Sequence, residues 1–321
     1  MSTFSPPTIT DIENAATRIN SIVHKTPIMS SNLINTDAGC EISFKCENLQ
    51  RAGAFKIRGA SNAVMRLTDD QAAKGVATHS SGNHGAALAL AASSRKIPAY
   101  IVLPENAPKP KIQAVESYGA QSIFCDSTLE AREQAVQQII DETGAHFVPP
   151  YDHFDVISGQ GTVALEILDQ LAGNKPSVII TPVGGGGLLS GTAIATKSKL
   201  PHCEVIGAEP EGADDAFRSF KFGTHITHHA PHTIADGLLT TLGKINFRVV
   251  QSHVDDILLV NDQQIIDAMH LIWSRMKLIV EPSAAVPLAS VLANKERFAG
   301  QHVAIVLSGG NVDLQRLPWQ G

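Results

Sequence analysis

Residues 177–199 read SVIITPVGGGGLLSGTAIATKSK: an apolar run, four consecutive glycines, then small and aliphatic residues ending in lysines. Val178–Val183 has strand length and is rich in β-branched residues, whereas Leu188–Ser198 has helical length. A strand that is apolar throughout is buried on both faces, which marks a parallel sheet covered by helices. In such sheets ligands sit beyond the C-terminal strand ends, where helix N-termini aim free N–H groups at anions. Gly184, Gly185, Gly186 and Gly187 have no Cβ to hold a ligand off the backbone, so their successive N–H groups form a nest for a phosphate. A tight turn with close helix–strand packing accounts for one or two of these glycines, not four. Glu209, 22 residues past Gly187, stands where a dinucleotide site keeps its ribose-binding acid, but the glycine spacing fails. G-x-G-x-x-G begun at Gly184 meets Leu189, and begun at Gly185 it meets Ser190. One isolated phosphate suits this loop better than a pyrophosphate.

The same alternation extends outward in both directions. Thr10 and Glu13 have capping-box spacing, and Ile12, Ala15, Ala16, Ile19 and Ile22 follow at helical intervals. Gly75–Thr78 pairs with a helix over Asn83–Ser94, Ala99–Leu103 with Lys109–Tyr118, and Ser122–Cys125 with Leu129–Thr143. Further on, Glu204–Ala208 and Ile257–Val260 lead to a helix near Gln263–Met276, and the last pair is Ser283–Ala293 and His302–Leu307. Strands alternating with helices of this length build βαβ units, so the fold class is α/β with mostly parallel sheets. The 321 residues suffice for about two domains. Pro149-Pro150 punctuates the chain, and the block Gly75–Pro149 has enough βα units for a small sheet of its own.

Composition sets limits on function. At 43% apolar and 17% charged residues the chain is globular, and 25 Lys plus Arg against 31 Asp plus Glu leave a net charge of −6. That charge offers no field for a phosphate backbone, so a small solute is the expected partner and nucleic acid is not. Cys40, Cys46, Cys125 and Cys203 show neither C-x-x-C nor zinc spacing and read as reduced thiols. The N-terminus lacks a signal-peptide pattern and no apolar run reaches a membrane span, so a cytoplasmic, membrane-free protein is expected.

Two further strand-to-helix turns are loaded with small polar residues. Ser80-Ser81-Gly82-Asn83-His84-Gly85 exceeds the needs of helix capping and suits a carboxylate. Ser308-Gly309-Gly310-Asn311 places a hydroxyl at the end of an expected central strand. The histidines His225, His228, His229 and His232 lie in a polar stretch around Pro231 and read as a solvated loop rather than a zinc site. Lys56, within RAGAFKIRGA (51–60), reads in isolation as a surface cation at a helix start.

Taken together, AFKIRGA around Lys56, SSGNHG at 80–85, the tetraglycine and SGGN at 308–311 are distinctive. In order and spacing they resemble the fold type II pyridoxal-phosphate (PLP) enzymes, the tryptophan synthase β-like group. The resemblance runs from about residue 10 to the C-terminus and is strongest to serine racemases, L-threo-3-hydroxyaspartate dehydratases and serine/threonine dehydratases. EPEGADD (209–215), TIADG (233–237) and MKLIVEPSAA (276–285) also resemble that subgroup. It implies two three-layer αβα domains: a large one of residues 1–70 and 151–321, and a small mobile one of residues 75–149. It further implies β-elimination of β-hydroxy L-amino acids to ammonia and a keto acid, with serine racemisation through the same carbanion. A dedicated racemase is the rival within the class, and a non-catalytic PLP or amino-acid binding protein the rival outside it.

The resemblance assigns roles residue by residue. Lys56 would carry PLP covalently and act as the base on one face of the substrate, and Ser81 would return a proton from the other. Phe55, Asn83, Gly184 to Gly187, Leu188 and Ser308 would bind the cofactor, Ser308 facing its ring nitrogen. Ser80, Ser81, Gly82, Asn83, His84, Arg132, Tyr151, Asp236 and Gly237 would line the substrate site, and Arg132 would meet a β-carboxylate. Glu209, the Ala213 carbonyl and Asp215 would hold a divalent cation (Mg²⁺, Mn²⁺ or Ca²⁺). A homodimer is implied. Ala86 stands where racemases that bind ATP can carry glutamine, so the resemblance leaves open whether ATP is an effector. The chain ends soon after Asn311, so feedback control through an added regulatory domain is not expected.

Overall fold

Helix α1 (Ile9–Ile19) opens on Thr8, whose backbone N–H donates to the Asp11 carboxylate at 2.8 Å while its hydroxyl accepts from Asp11 N–H. The capping box therefore lies on Thr8 and Asp11, two residues before the Thr10–Glu13 pair suggested by sequence. Both pairs have the spacing, and packing decides between them: this register buries Ile12, Ala15 and Ile19, whereas Ile22 falls in the turn beyond. The computed structural model describes residues 5–80, 82–107 and 109–319.

After α1 come β1 (Ile28–Met29), α2 (Asn32–Ala38), β2 (Glu41–Lys45), α3 (Lys56–Arg66) and α4 (Asp69–Lys74). Alternating units follow: β3 (Val76–Thr78), α5 (Asn83–Arg95), β4 (Ala99–Pro104), α6 (Lys109–Ser117), β5 (Gln121–Cys125), α7 (Leu129–Thr143) and β6 (His146–Phe147). The chain continues through α8 (Phe154–Gln170), β7 (Val178–Pro182), α9 (Gly187–Lys199), β8 (Glu204–Pro210), α10 (Asp215–Phe222) and α11 (Lys244–His253). It ends with β9 (Asp256–Val260), α12 (Asp262–Met276), α13 (Pro282–Ala293), α14 (Lys295–Phe298) and β10 (His302–Val306).

Among the described residues the strands form two sheets, of order β1-β2-β10-β7-β8-β9 and β5-β4-β3-β6. The short edge strand β1 runs antiparallel to β2 and every other pairing is parallel. In the larger sheet β7 and β10 are neighbours, so the tetraglycine and the Ser308–Asn311 turn leave adjacent strands at the same end. Strand order reverses there, and such a switch point opens a crevice for ligands.

Three helices pack against one another unusually closely. A Cβ on Gly159 in α8 would lie 2.5 Å from the Arg58 carbonyl of α3, one on Gly161 2.9 Å from the Gly191 carbonyl of α9, and one on Gly191 2.5 Å from Gly161 N. Glycine inside these helices costs stability locally but lets the backbones touch.

Arg58 fixes α3 to this platform. Its guanidinium is fully buried, donating to Glu47 at 2.7 and 2.8 Å and to Glu166 of α8 at 2.8 and 2.9 Å. Lys45, also fully buried, donates to Glu166 at 2.5 Å and to the Thr26 carbonyl at 2.8 Å. Burial pushes Glu47 up, but Arg58 more than offsets it and holds the carboxyl below its ordinary range. Removing one partner of such a set strands a buried charge, at a cost of about 3–5 kcal/mol. Arg58→Met is therefore expected to lower the unfolding free energy measured in urea by an amount of that order, whereas Lys25→Met, at the exposed Lys25–Asp169 pair, leaves it nearly unchanged.

Candidate active site

Lys56 is the first residue of α3, and the exit of β10 determines where that helix starts. Phe55 N–H donates to the Ser308 carbonyl at 3.0 Å, and Ala54 bridges to Gly309. The Lys56 ammonium donates to the Pro150 carbonyl at 2.9 Å and lies 5.2 Å from the centre of the Phe55 ring. Burial pushes it down from 10.5 to about 8, against the opposing pull of the Glu281 carboxylate. A lowered proton affinity leaves part of this amine neutral near neutral pH, as a nucleophile and a base must be. It is not the surface cation that position alone suggests.

The tetraglycine loop closes on segments from elsewhere in the chain. Gly186 takes φ +90°, and a Cβ there would meet Leu242 at 2.5 Å; one on Gly185 would enter the Tyr151 ring at 2.2 Å. Gly184 and Gly187 are less crowded, with nearest atoms at 3.0 Å (Leu238 Cα) and 3.2 Å (Tyr151 O). Packing and backbone angle thus account for Gly185 and Gly186. The Gly185 carbonyl accepts from Asn246 Nδ2 at 2.7 Å and Gly243 N at 3.0 Å. The first intrahelical bond of α9 is Ser190 N–H to Gly186 O, so the amides of Gly187, Leu188 and Leu189 stay outside the helical ladder. Asp152 caps α11 from a distance, accepting from Lys244 N and Ile245 N at 2.9 Å each.

The turn after β3 presents a second set of amides. A Cβ on Gly85 would collide with Ser80 O at 2.1 Å, so glycine is required there, whereas Gly82 faces open space. Among the described residues the first backbone bond of α5 is Ala86 N–H to Gly82 O, and the amides of Asn83, His84 and Gly85 meet no backbone acceptor there. His84 is buried, and its Nε2 donates to the Val148 carbonyl at 2.9 Å. Burial, then the Lys56 charge, pushes its ring down to about 3, so the imidazole stays neutral. Ser81 lies outside the described residues. Asn83 Nδ2 donates to both Glu281 oxygens at 2.9 and 3.1 Å, while its Oδ1 accepts from Asn311 Nδ2 at 2.9 Å. Ser308 is buried at the end of β10.

The other sequence-derived residues lie around this centre. Tyr151 stands against Gly185 and Gly187, forming a wall of the glycine loop. Gly237 N donates to Ser283 Oγ at 3.0 Å, and Gly237 O is 3.5 Å from where a Gly184 Cβ would be; Asp236 beside it is exposed. Arg132 is half-buried on α7, its Nε donating to the Thr128 carbonyl at 3.3 Å, and its charge reaches His79 just past β3.

Glu209 ends β8 and Asp215 begins α10, both fully buried, with buried Ala213 between them. Burial, then Asp215, raises Glu209 well above the ordinary carboxylate range even though it accepts from Ala216 N and Phe217 N. Asp215 is raised by burial, and its Oδ1 has no hydrogen-bond partner. Among the described residues no three His, Cys, Asp or Glu side chains form a ready metal cluster. The histidine stretch is not simply a solvated loop. His225 stacks on Phe247 at 5.0 Å, and the largely buried His229 places Nε2 3.4 Å from Asp215 Oδ1. Alternating polarity around Pro231 gave no sign that these rings turn inward.

A part-buried amine of low proton affinity, a glycine cradle and a second amide turn have the chemistry to suit a phosphorylated carbonyl cofactor and an anionic substrate. Residues 19–309 match the family described as pyridoxal-phosphate dependent enzyme, and the chain belongs to that family. It is 47% identical to a beta-hydroxyaspartate dehydratase of Paracoccus denitrificans, covering 98% of this chain and 99% of that protein. It is also 47% identical to a serine racemase of Dictyostelium discoideum, covering 97% and 96%. The structure of maize serine racemase superposes with a TM-score of 0.94 at 46% identity, covering 96% of this chain and 95% of that one. The α/β fold with its parallel sheets is thus that of the PLP fold type II enzymes.

Sequence motifs alone did not single out Glu281, Asn246 or Asp152. Each lies in an ordinary-looking helical stretch or loop and reaches the site only through tertiary packing. Gly185→Ala is expected to weaken PLP binding about tenfold or more, read as the midpoint of a visible-absorbance titration. Gly173→Ala, where a Cβ meets nothing within 4 Å, leaves the midpoint unchanged.

Proposed function

We propose that the protein is an ammonia-lyase for β-hydroxy L-amino acids (serine, threo-3-hydroxyaspartate and threonine) that also racemises serine. The observation that carries this reading is the part-buried, readily neutralised Lys56 amine together with the tetraglycine cradle and the amides that open α5. These residues fit PLP: Lys56 would hold its aldehyde carbon, the amides of 184–188 its phosphate, Asn83 and Ser308 the polar atoms of its ring, and Phe55 a ring face. When bound, PLP draws electrons from the substrate Cα and so acidifies the α-proton.

The chain's own residues do the rest. The amides of Asn83, His84 and Gly85, with Ser80, fix the substrate carboxylate, and neutral His84 adds no competing charge. Lys56 Nζ takes the α-proton on one face. Ser81 is assigned the opposite face, and each positioned proton transfer is worth roughly 10²–10⁴-fold in rate. Ser308 offers a neutral hydroxyl where a carboxylate would hold a positive ring nitrogen, and so favours prompt loss of the β-hydroxyl over a long-lived carbanion. Arg132 would pair with a β-carboxylate and favour hydroxyaspartate. The names of the two curated relatives support both halves of the reading.

The orphaned Asp215 Oδ1 and the mutual repulsion of two buried carboxylates suit a hard divalent cation on Glu209, Ala213 O and Asp215. We place the strands of 76–147 in a small domain (75–149) that closes on the larger one (1–70 and 151–321) and expels water from the site. The working unit is taken as a homodimer in the cytoplasm; among the described residues no helix is long and apolar enough to cross a membrane.

Incubating L-serine with the holoenzyme in deuterated water should give pyruvate and ammonia, with deuterium at Cα of the recovered serine. Mostly D-serine with little pyruvate would identify a dedicated racemase, and wild-type turnover by Lys56→Ala would refute the site. Arg132→Ala is expected to raise KM for threo-3-hydroxyaspartate about tenfold and leave serine unaffected. Asp215→Ala should abolish the rise in Tm that Mg²⁺ or Mn²⁺ gives the wild type; no rise in either protein dismisses the cation.

A further inference from the structure

Glu281 occupies the N-cap of α13, a position that favours Ser, Thr, Asp or Asn, and its side chain makes no capping hydrogen bond. It turns away from its own helix into the cleft. The residue is 4% exposed, and both carboxylate oxygens accept from the single amide nitrogen of Asn83, across from the α5 N-terminus. Asn83 is fixed in turn by Asn311, whose Nδ2 also donates to the Ala52 carbonyl at 2.8 Å. Space at Gly309 is reserved for this carboxylate, since a Cβ there would come within 2.5 Å of Glu281 Oε1. A buried carboxylate is costly to keep ionised unless a positive charge lies near. The Lys56 ammonium, the base of the proposed reaction, supplies one such charge, and Ala54, two residues before it, packs at Gly309 beside the same carboxylate.

We propose that Glu281 is a positioning residue that orients Asn83 and supplies the negative charge serving the Lys56 base. Its negative charge stabilises the ammonium formed when Lys56 takes the α-proton, and its oxygens hold the Asn83 amide in place. The inference deepens the reading in which Lys56 is the base and rests on it.

Other charged groups near α3 are committed elsewhere. Glu47 and Glu166 are engaged by Arg58 and Lys45, and Asp155 of α8 pairs with Arg66 at 2.8 Å. His84, facing from α5, is held neutral by burial. The direction of the effect follows. Without the carboxylate the ammonium is less stable, so Lys56 loses its proton at lower pH and becomes a weaker base.

Two readouts test this. One is the pH dependence of kcat, whose acid limb follows the deprotonation of Lys56. The other is the pH dependence of the rate at which cofactor-free protein captures PLP, which needs the neutral amine. Glu281→Gln keeps an acceptor for Asn83 but removes the charge. Both midpoints should move down by about one pH unit, and the kcat plateau should fall several-fold with little change in KM. Glu281→Asp keeps the charge and should leave the midpoints near wild type even where activity suffers from the shorter side chain. Midpoints in Glu281→Gln that match wild type would overturn the proposal. If Lys56→Ala captures PLP and turns over serine as the wild type does, the reading beneath it falls instead.

Discussion

The structure turns on a guanidinium with no access to water. Arg58 faces Glu47 on one side and Glu166 on the other, and Lys45 completes a set of two positive and two negative charges, so the set carries no net charge. Each group would be expensive alone, so none can leave without the others. Lys56 lies two residues before Arg58 on the same helix. The reactive amine therefore takes its position from an ion network on the far side of α3, and the network tolerates little drift in that helix.

Above this foundation the site is assembled from pieces remote in sequence. Asp152 caps a helix that begins more than 90 residues later, and Asn246 of that helix holds the carbonyl of Gly185. Tyr151, between them, fills the space that glycine at 185 leaves open. Low solvent access then decides the chemistry: it pushes both Lys56 and His84 down, leaving one as a titratable base and the other as a neutral donor. The same physics raises Glu209 near the end of β8, the strand beside β7.

Most of the alternating architecture was legible from periodicity, because strands such as Val178–Pro182 are apolar throughout and their helices have regular apolar spacing. α8 escaped because Gly159, Gly161 and buried polar residues such as Gln160 and Thr162 blur its pattern. Those residues are explained only by the backbones that touch there. The glycine turns announced a phosphate and a carboxylate, yet two of the four loop glycines answer to Tyr151, Leu242 and a positive φ as well as to any ligand. Glu281 was invisible for a different reason: at the start of an apolar helix a glutamate looks like ordinary helix-dipole chemistry. Only its contact with Asn83, 198 residues away, shows otherwise.

Where the backbones of α3, α8 and α9 touch, a single added methyl group would wedge the helices apart. That junction acts as a keystone, and the cofactor end of the cleft has little freedom to be reshaped by descent. Novelty in what the enzyme accepts must then arise elsewhere, along α7, where half-exposed side chains such as Arg132 can be exchanged without disturbing the masonry.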